Sequence, residues 1–171
     1  MKRGLTIFSM ILAFLLGCGG GGSSAPIGPA EVRLELSPNK IDSGDVTTVT
    51  VSVSDVETQG VALKIRYPEA LGLVRNSSKL FVNGESRSFT PTENVVASGI
   101  RYLVYYIKPS TFAGERGGEV RIQLEGQSEV VAGLVEVDVD LDNPNIRNSQ
   151  EFDVNNPQFT PVTDATIDVL G

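Results

Sequence analysis

Val61-Ala62-Leu63-Lys64-Ile65-Arg66-Tyr67-Pro68 is the stretch whose reading decides the fold. Val61, Leu63, Ile65 and Tyr67 alternate with Ala62, Lys64 and Arg66. Successive side chains of an extended strand point to opposite faces, so this octapeptide sends four large apolar groups one way and two cations the other. A helix would scatter them. Pro68 has no N–H to give to a sheet ladder and ends the run. One short helical turn is expected from Pro68 to Leu71.

The same period of two recurs on both sides. Val32, Leu34 and Leu36 share one face of a first strand, closed by Ser37-Pro38-Asn39. Val49, Val51 and Val53 alternate with Thr50, Ser52 and Ser54 in a second, entered through Ser43-Gly44-Asp45. Asn83-Gly84 between two strand patterns is a hairpin signal, because that pair accepts positive φ at both positions. Asn94 to Ala97, Ser98-Gly99 and Ile100 to Lys108 read as a second hairpin. Ile100 to Ile107 is apolar or aromatic on both faces and is expected to sit centrally, covered on both sides, or to line a contact surface. Val120, Ile122 and Leu124 alternate again, and Val131 to Leu141 is the longest pattern. There Val135, Val137, Val139 and Leu141 oppose Glu136, Asp138, Asp140 and Asp142. A loop from Asn143 to Pro161 follows, and Ala165, Ile167 and Val169 form a last strand. After Cys18 no stretch carries apolar residues at helical spacing over three turns. Short strands with β-branched residues and turn-formers between them predict an all-β protein: an antiparallel Greek-key β-sandwich, cohesin-like or Ig-like, of eight or nine strands, with a barrel as the alternative.

The first residues follow different rules. Lys2 and Arg3 precede an apolar run from Leu5 to Leu16. As a helix that run rises roughly 18 Å, short of the ~30 Å hydrocarbon core, so it reads as a secretory signal. Leu15-Leu16-Gly17-Cys18 resembles the lipobox of bacterial lipoproteins. The resemblance implies cleavage before Cys18, a diacylglyceryl group on its sulfur and an acyl group on its new amino terminus. Two or more acyl chains hold a protein on a bilayer stably. Gly19-Gly20-Gly21-Gly22-Ser23-Ser24 is then a flexible tether stiffened at its end by Pro26 and Pro29. The expected organisation is a signal peptide over 1–17, lipidated Cys18 and tether over 18–29, and one sandwich domain over 30–171. The expected location is the cell membrane or the outer membrane. Gly19, in place of an Asp retention signal, favours the outer membrane in a Gram-negative host.

A second resemblance lies in the domain. Ser43-Gly44-Asp45 before a Val/Thr strand, then Val61 to Tyr67 with Pro68 and Leu71, and later Gly117-Gly118-Glu119-Val120-Arg121-Ile122, is similar to cohesin modules and their carbohydrate-binding relatives. It implies a sandwich and carries no binding residue across.

Composition limits the chemistry. The chain has 14 Lys and Arg against 21 Asp and Glu, no His, no Trp and one Cys. Without Lys2 and Arg3 the balance becomes 12 against 21, a net charge of −9. Such a surface repels phosphate backbones, so nucleic acid is not an expected partner. With Cys18 committed to lipid, a metal site must be built of oxygen ligands, which suits calcium. Asp138, Asp140, Asp142, Asn145, Glu151 and Asp153 are the candidate ligands. From Asp138 as first position an EF-hand fails, because Asn143 stands at the glycine position and Ser149 at that of the bidentate Glu. The competing reading is a solvated outer strand face followed by turns. Tyr102, Tyr105 and Tyr106 are candidates to stack on sugar rings or to fill the core. A Ser-His-Asp triad is excluded, no phosphate-binding glycine loop appears, and no carboxylate is singled out as a catalyst. The expectation is a membrane-anchored envelope module without catalysis, bound to an envelope protein or a polysaccharide. A carbohydrate-binding surface module is the alternative, and a glycoside hydrolase the remote one.

Overall fold

The computed structural model describes residues 31–54, 61–112, 117–140 and 164–171. The signal, Cys18, the tether and the loop after Asp140 lie outside them. The strands are β1 (Glu31–Ser37), β2 (Lys40–Asp42), β3 (Val46–Ser54), β4 (Val61–Pro68), β5 (Leu71–Leu73), β6 (Lys79–Val82), β7 (Glu85–Ser88), β8 (Glu93–Ala97), β9 (Ile100–Ile107), β10 (Gly117–Gly126), β11 (Val130–Asp140) and β12 (Asp164–Leu170). The one helix among the described residues is α1 (Pro109–Phe112).

They form two packed sheets. The first runs β1-β3-β10-β6-β7, with β5 also paired to β10; the second runs β2-β12-β11-β4-β9-β8. Each sheet turns one face inward. Val49, Val51, Val53, Val120, Ile122 and Leu124 of the first meet Val61, Leu63, Ile65, Leu103, Val135, Val137 and Ile167 of the second, all at 3% exposure or less. Each such side chain contributes about 1.5–3 kcal/mol relative to exposure. The register Ile65↔Leu103 and Ile65↔Val137 puts the decisive stretch in the middle of its sheet, flanked by β9 and β11. The sandwich is therefore all-β, as its alternation requires. Thr47 continues the inward row of β3 fully buried, and its Oγ1 donates to the Pro38 carbonyl, so no lone polar group is stranded there.

Four details differ from the expectation. Twelve strands are described, because three-residue segments such as β2 and β5 are too short to show alternation. One pair, β2 with β12, is parallel; the rest are antiparallel. Pro68 belongs to β4, and the turn Glu69-Ala70 leads straight into β5, not through a helical turn. β9 sits next to the sheet's edge, with β8 outside it.

The hairpin signals are met. Asn83 and Gly84 have φ of 51° and 76°, and Ser98 and Gly99 have 55° and 77°, two-residue turns with positive φ at both positions. The turn Ser43-Gly44-Asp45 is held by Gly44 N–H donating to the Gly126 carbonyl at 2.8 Å and Gly126 N–H to the Asp45 carbonyl at 3.0 Å. The glycine lead of β10 has a packing cause: a Cβ on Gly118 would stand 2.7 Å from the Phe81 carbonyl oxygen.

Candidate functional site

Three regions have a geometry with chemical content. The first is the outer face of the second sheet. Antiparallel pairing sets Lys64 beside Asp138 and Arg66 beside Glu136. Lys64 Nζ stands 2.9 Å from Asp138 Oδ2, with side-chain exposures of 7% and 16%. It is an ion pair held by charge, since Oδ2 has no well-aligned hydrogen-bond donor. Arg66 Nη2 reaches Asp138 Oδ1 and Glu136 Oε1, each at 3.3 Å. Ala62 and Val104 on the same face are fully buried, with Tyr106 packed against them. This face is thus not the solvated one that its polar residues suggested.

That placement bears on the calcium ligands. Asp138 is shared between two cations of β4. Asp140 ends β11, and its side chain is not among those described; Asp142, Asn145, Glu151 and Asp153 lie outside the described residues. Among the described residues no group of three or more acidic side chains is gathered to hold a metal.

The second region is buried and aromatic. Tyr105 is fully buried, hydrogen-bonded to Ser78 at 2.8 Å, and stacked on Phe89 with centroids 5.2 Å apart at 20°. Burial pushes its phenol up to about 12, tempered by the Ser78 bond. Tyr67 is raised further by burial; nearby Arg101 works against the shift and Tyr105 adds to it. Its hydroxyl, at full burial, has no hydrogen-bond partner. Of the three tyrosines noted in the sequence, Tyr105 is core, while Tyr102 and Tyr106 lie half-buried on the outer face.

The third region is a cleft of about 460 Å³ at one end of the sandwich, where the chain leaves β7 for β8. One wall is the turn after β5, with Arg75, Asn76 and Ser78. The other is the crossover, with Ser88, Phe89 and Thr90. Both are pinned. Val74 N–H donates to the Gln123 carbonyl at 2.9 Å, Ser77 N–H to the Val74 carbonyl at 3.2 Å, and Gln123 N–H to Ser77 Oγ at 3.1 Å. Phe89 N–H donates to the Ser78 carbonyl at 3.0 Å, which joins the two walls. Asn76 takes φ of 59° in its turn, which asparagine tolerates. The volume lies within the range of small-molecule sites. Among the described residues the lining contains no carboxylate, although the chain is acidic. Sequence reading missed this site because its residues come from two separate loops without a motif. The only local trace was Asn76-Ser77-Ser78, which matches a glycosylation sequon.

No family model and no curated protein matches this chain. Solved structures do share its fold. The backbone pilin of Streptococcus pyogenes aligns at 10% identity with a TM-score of 0.54, over 82% of this chain and 36% of the pilin. The major pilin of Corynebacterium diphtheriae aligns at 12% with a TM-score of 0.56, over 72% and 34%. The chain therefore spans about a third of the length of these pilins. A cohesin module from a Clostridium perfringens glycoside hydrolase aligns at 11% with a TM-score of 0.45, over 84% and 97%. At such identities the two pilin alignments establish the β-sandwich and nothing of activity.

Proposed function

We propose that this protein is a lipid-anchored component of the bacterial envelope whose sandwich serves interaction or structural support without catalysis. The observation that carries the interaction reading is the pinned cleft between β5 and β8. Its described lining of amides, hydroxyls, one guanidinium and one aromatic ring is suited to recognition. The two proteins that share the fold are by name a backbone pilin and a major pilin of a modular pilus assembly, which supports a structural role.

Anchoring rests on Leu15-Leu16-Gly17-Cys18. Among the described residues no helix is long and apolar enough to cross a membrane; in this reading the acyl chains on Cys18 do the holding. Fractionation tests this. The wild-type chain is expected in the membrane fraction with incorporated palmitate, and Cys18→Ser in the soluble fraction without it. A Cys18→Ser protein that stayed with the membrane would overturn the anchor. A pull-down from native envelope with the full chain tests the interaction role.

A further inference from the structure

We infer that the cleft between the β5–β6 turn and the β7–β8 crossover binds an acidic sugar, with Phe89 as the stacking platform and Arg75 as the carboxylate anchor. The inference rests on reading the domain as an interaction module and is independent of how the chain is anchored.

The platform comes first. Phe89 spends one ring face on Tyr105, 5.2 Å away and nearly parallel, and the same ring lines the cleft. Tyr105 is immobilised by full burial and by Ser78. The Phe89 ring is therefore fixed before any ligand arrives, which lowers the ordering cost of binding. A flat apolar face on an aromatic ring is what the axial C–H surface of a pyranose meets well, and an aromatic side chain buries large area there.

The rim matches the rest of a sugar. Asn76, Ser88, Thr90 and Asn94 each offer donor and acceptor capacity, as vicinal ring hydroxyls do. Arg101 Nη1 donates to Asn94 Oδ1 at 3.2 Å and so orients that amide with its NH2 free. Such a rim would accept a neutral sugar too.

Charge separates the two. Among the described arginines, Arg33, Arg66 and Arg121 each pair with a carboxylate of their own sheet. Arg75 is exposed at the cleft mouth, with no acidic residue among the described residues of the lining. In a chain where acids outnumber bases by 21 to 14, an acid-free cleft with an unpaired guanidinium is a local reversal of the protein's own field. A guanidinium fork takes a carboxylate through two parallel hydrogen bonds. The carboxylate of a uronic acid ring stacked on Phe89 supplies that partner.

Calorimetry on the full-length protein in detergent micelles tests the assignment, with trigalacturonic acid as probe and neutral galactotriose as control. The acid is expected to bind at least tenfold more tightly than the neutral sugar. Arg75→Gln, a change at an exposed position, should abolish that preference while leaving the thermal melt unchanged. Phe89→Leu should weaken both sugars at least tenfold; because Phe89 also packs on Tyr105, its binding is compared only at temperatures where its melt shows it folded. No binding of trigalacturonic acid, equal binding of the two sugars, or an Arg75→Gln protein with undiminished preference would each overturn the inference. Loss of sugar binding alongside a reproducible protein partner in the pull-down would overturn this site and leave the interaction reading standing.

Discussion

The two outer faces of the sandwich are written in the same pattern and built differently. On the first sheet, Arg33 pairs with Glu31 at side-chain exposures of 73% and 55%, and Arg121 with Glu119 at 45% and 36%. On the second, Lys64 and Asp138 pair at 7% and 16%. Exposed pairs exchange water for little net gain, about 0–1 kcal/mol. A buried pair must offset the desolvation of two ions, and loss of one partner strands the other. The polar half of an alternating strand is thus decoration on one sheet and a structural commitment on the other.

Substitution should separate them. Asp138→Ala leaves Lys64 and Arg66 without their shared carboxylate and should cost roughly 3 kcal/mol, read as a lower midpoint in urea with unchanged slope. A cost near zero would mean that the second face is as solvated as the first. Alkaline pH tests the core between the faces. The folded domain holds the Tyr105 proton to about 12, whereas the unfolded chain releases it near the ordinary tyrosine value of about 10. Tyr67 is shifted in the same direction. The unfolded state therefore binds fewer protons, and stability should fall as pH rises from about 10 through about 12. Stability unchanged to pH 12 would contradict the burial of these phenols. Arg121→Ala removes the Glu119 pair and a guanidinium lying 4.3 Å above the Phe81 ring, and should cost about 0.5–1 kcal/mol. Glu119→Gln should stay within ~0.5 kcal/mol. Raising salt to 1 M should erase the effect of Glu119→Gln and leave most of that of Asp138→Ala, because salt screens exposed charges far more than buried ones.

The fold was legible wherever one side of a strand is greasy and the other is not. Val61 to Tyr67, Val49 to Val53 and Val120 to Leu124 announce themselves by period, and Asn83-Gly84 by turn chemistry. What stayed hidden has physical reasons. Lys40-Ile41-Asp42 carries one inward residue, too few for a period. The burial of Lys64 depends on what packs over β4, which alternation does not encode. The cleft draws Arg75 and Phe89 from turns 14 positions apart, brought together where the β6–β7 ladder continues into the Phe89-to-Ser78 backbone bond. The candidate calcium ligands were legible as chemistry, and only Asp138 among them has a described side chain, bound to cations of its own sheet.

The parallel contact of β12 with β2 has a further consequence. Asp168, Val169 and Leu170 align with Lys40, Ile41 and Asp42, while the other side of β12 pairs with β11. A segment near the end of this sequence is therefore wedged between two earlier strands. Without β12 the strands β11, β4, β9 and β8 still pair in order, whereas β2 has no strand partner among the described residues. Non-local closure of this kind is slow. The second sheet is completed at this edge only when Lys40 and Asp168, 128 positions apart, come together.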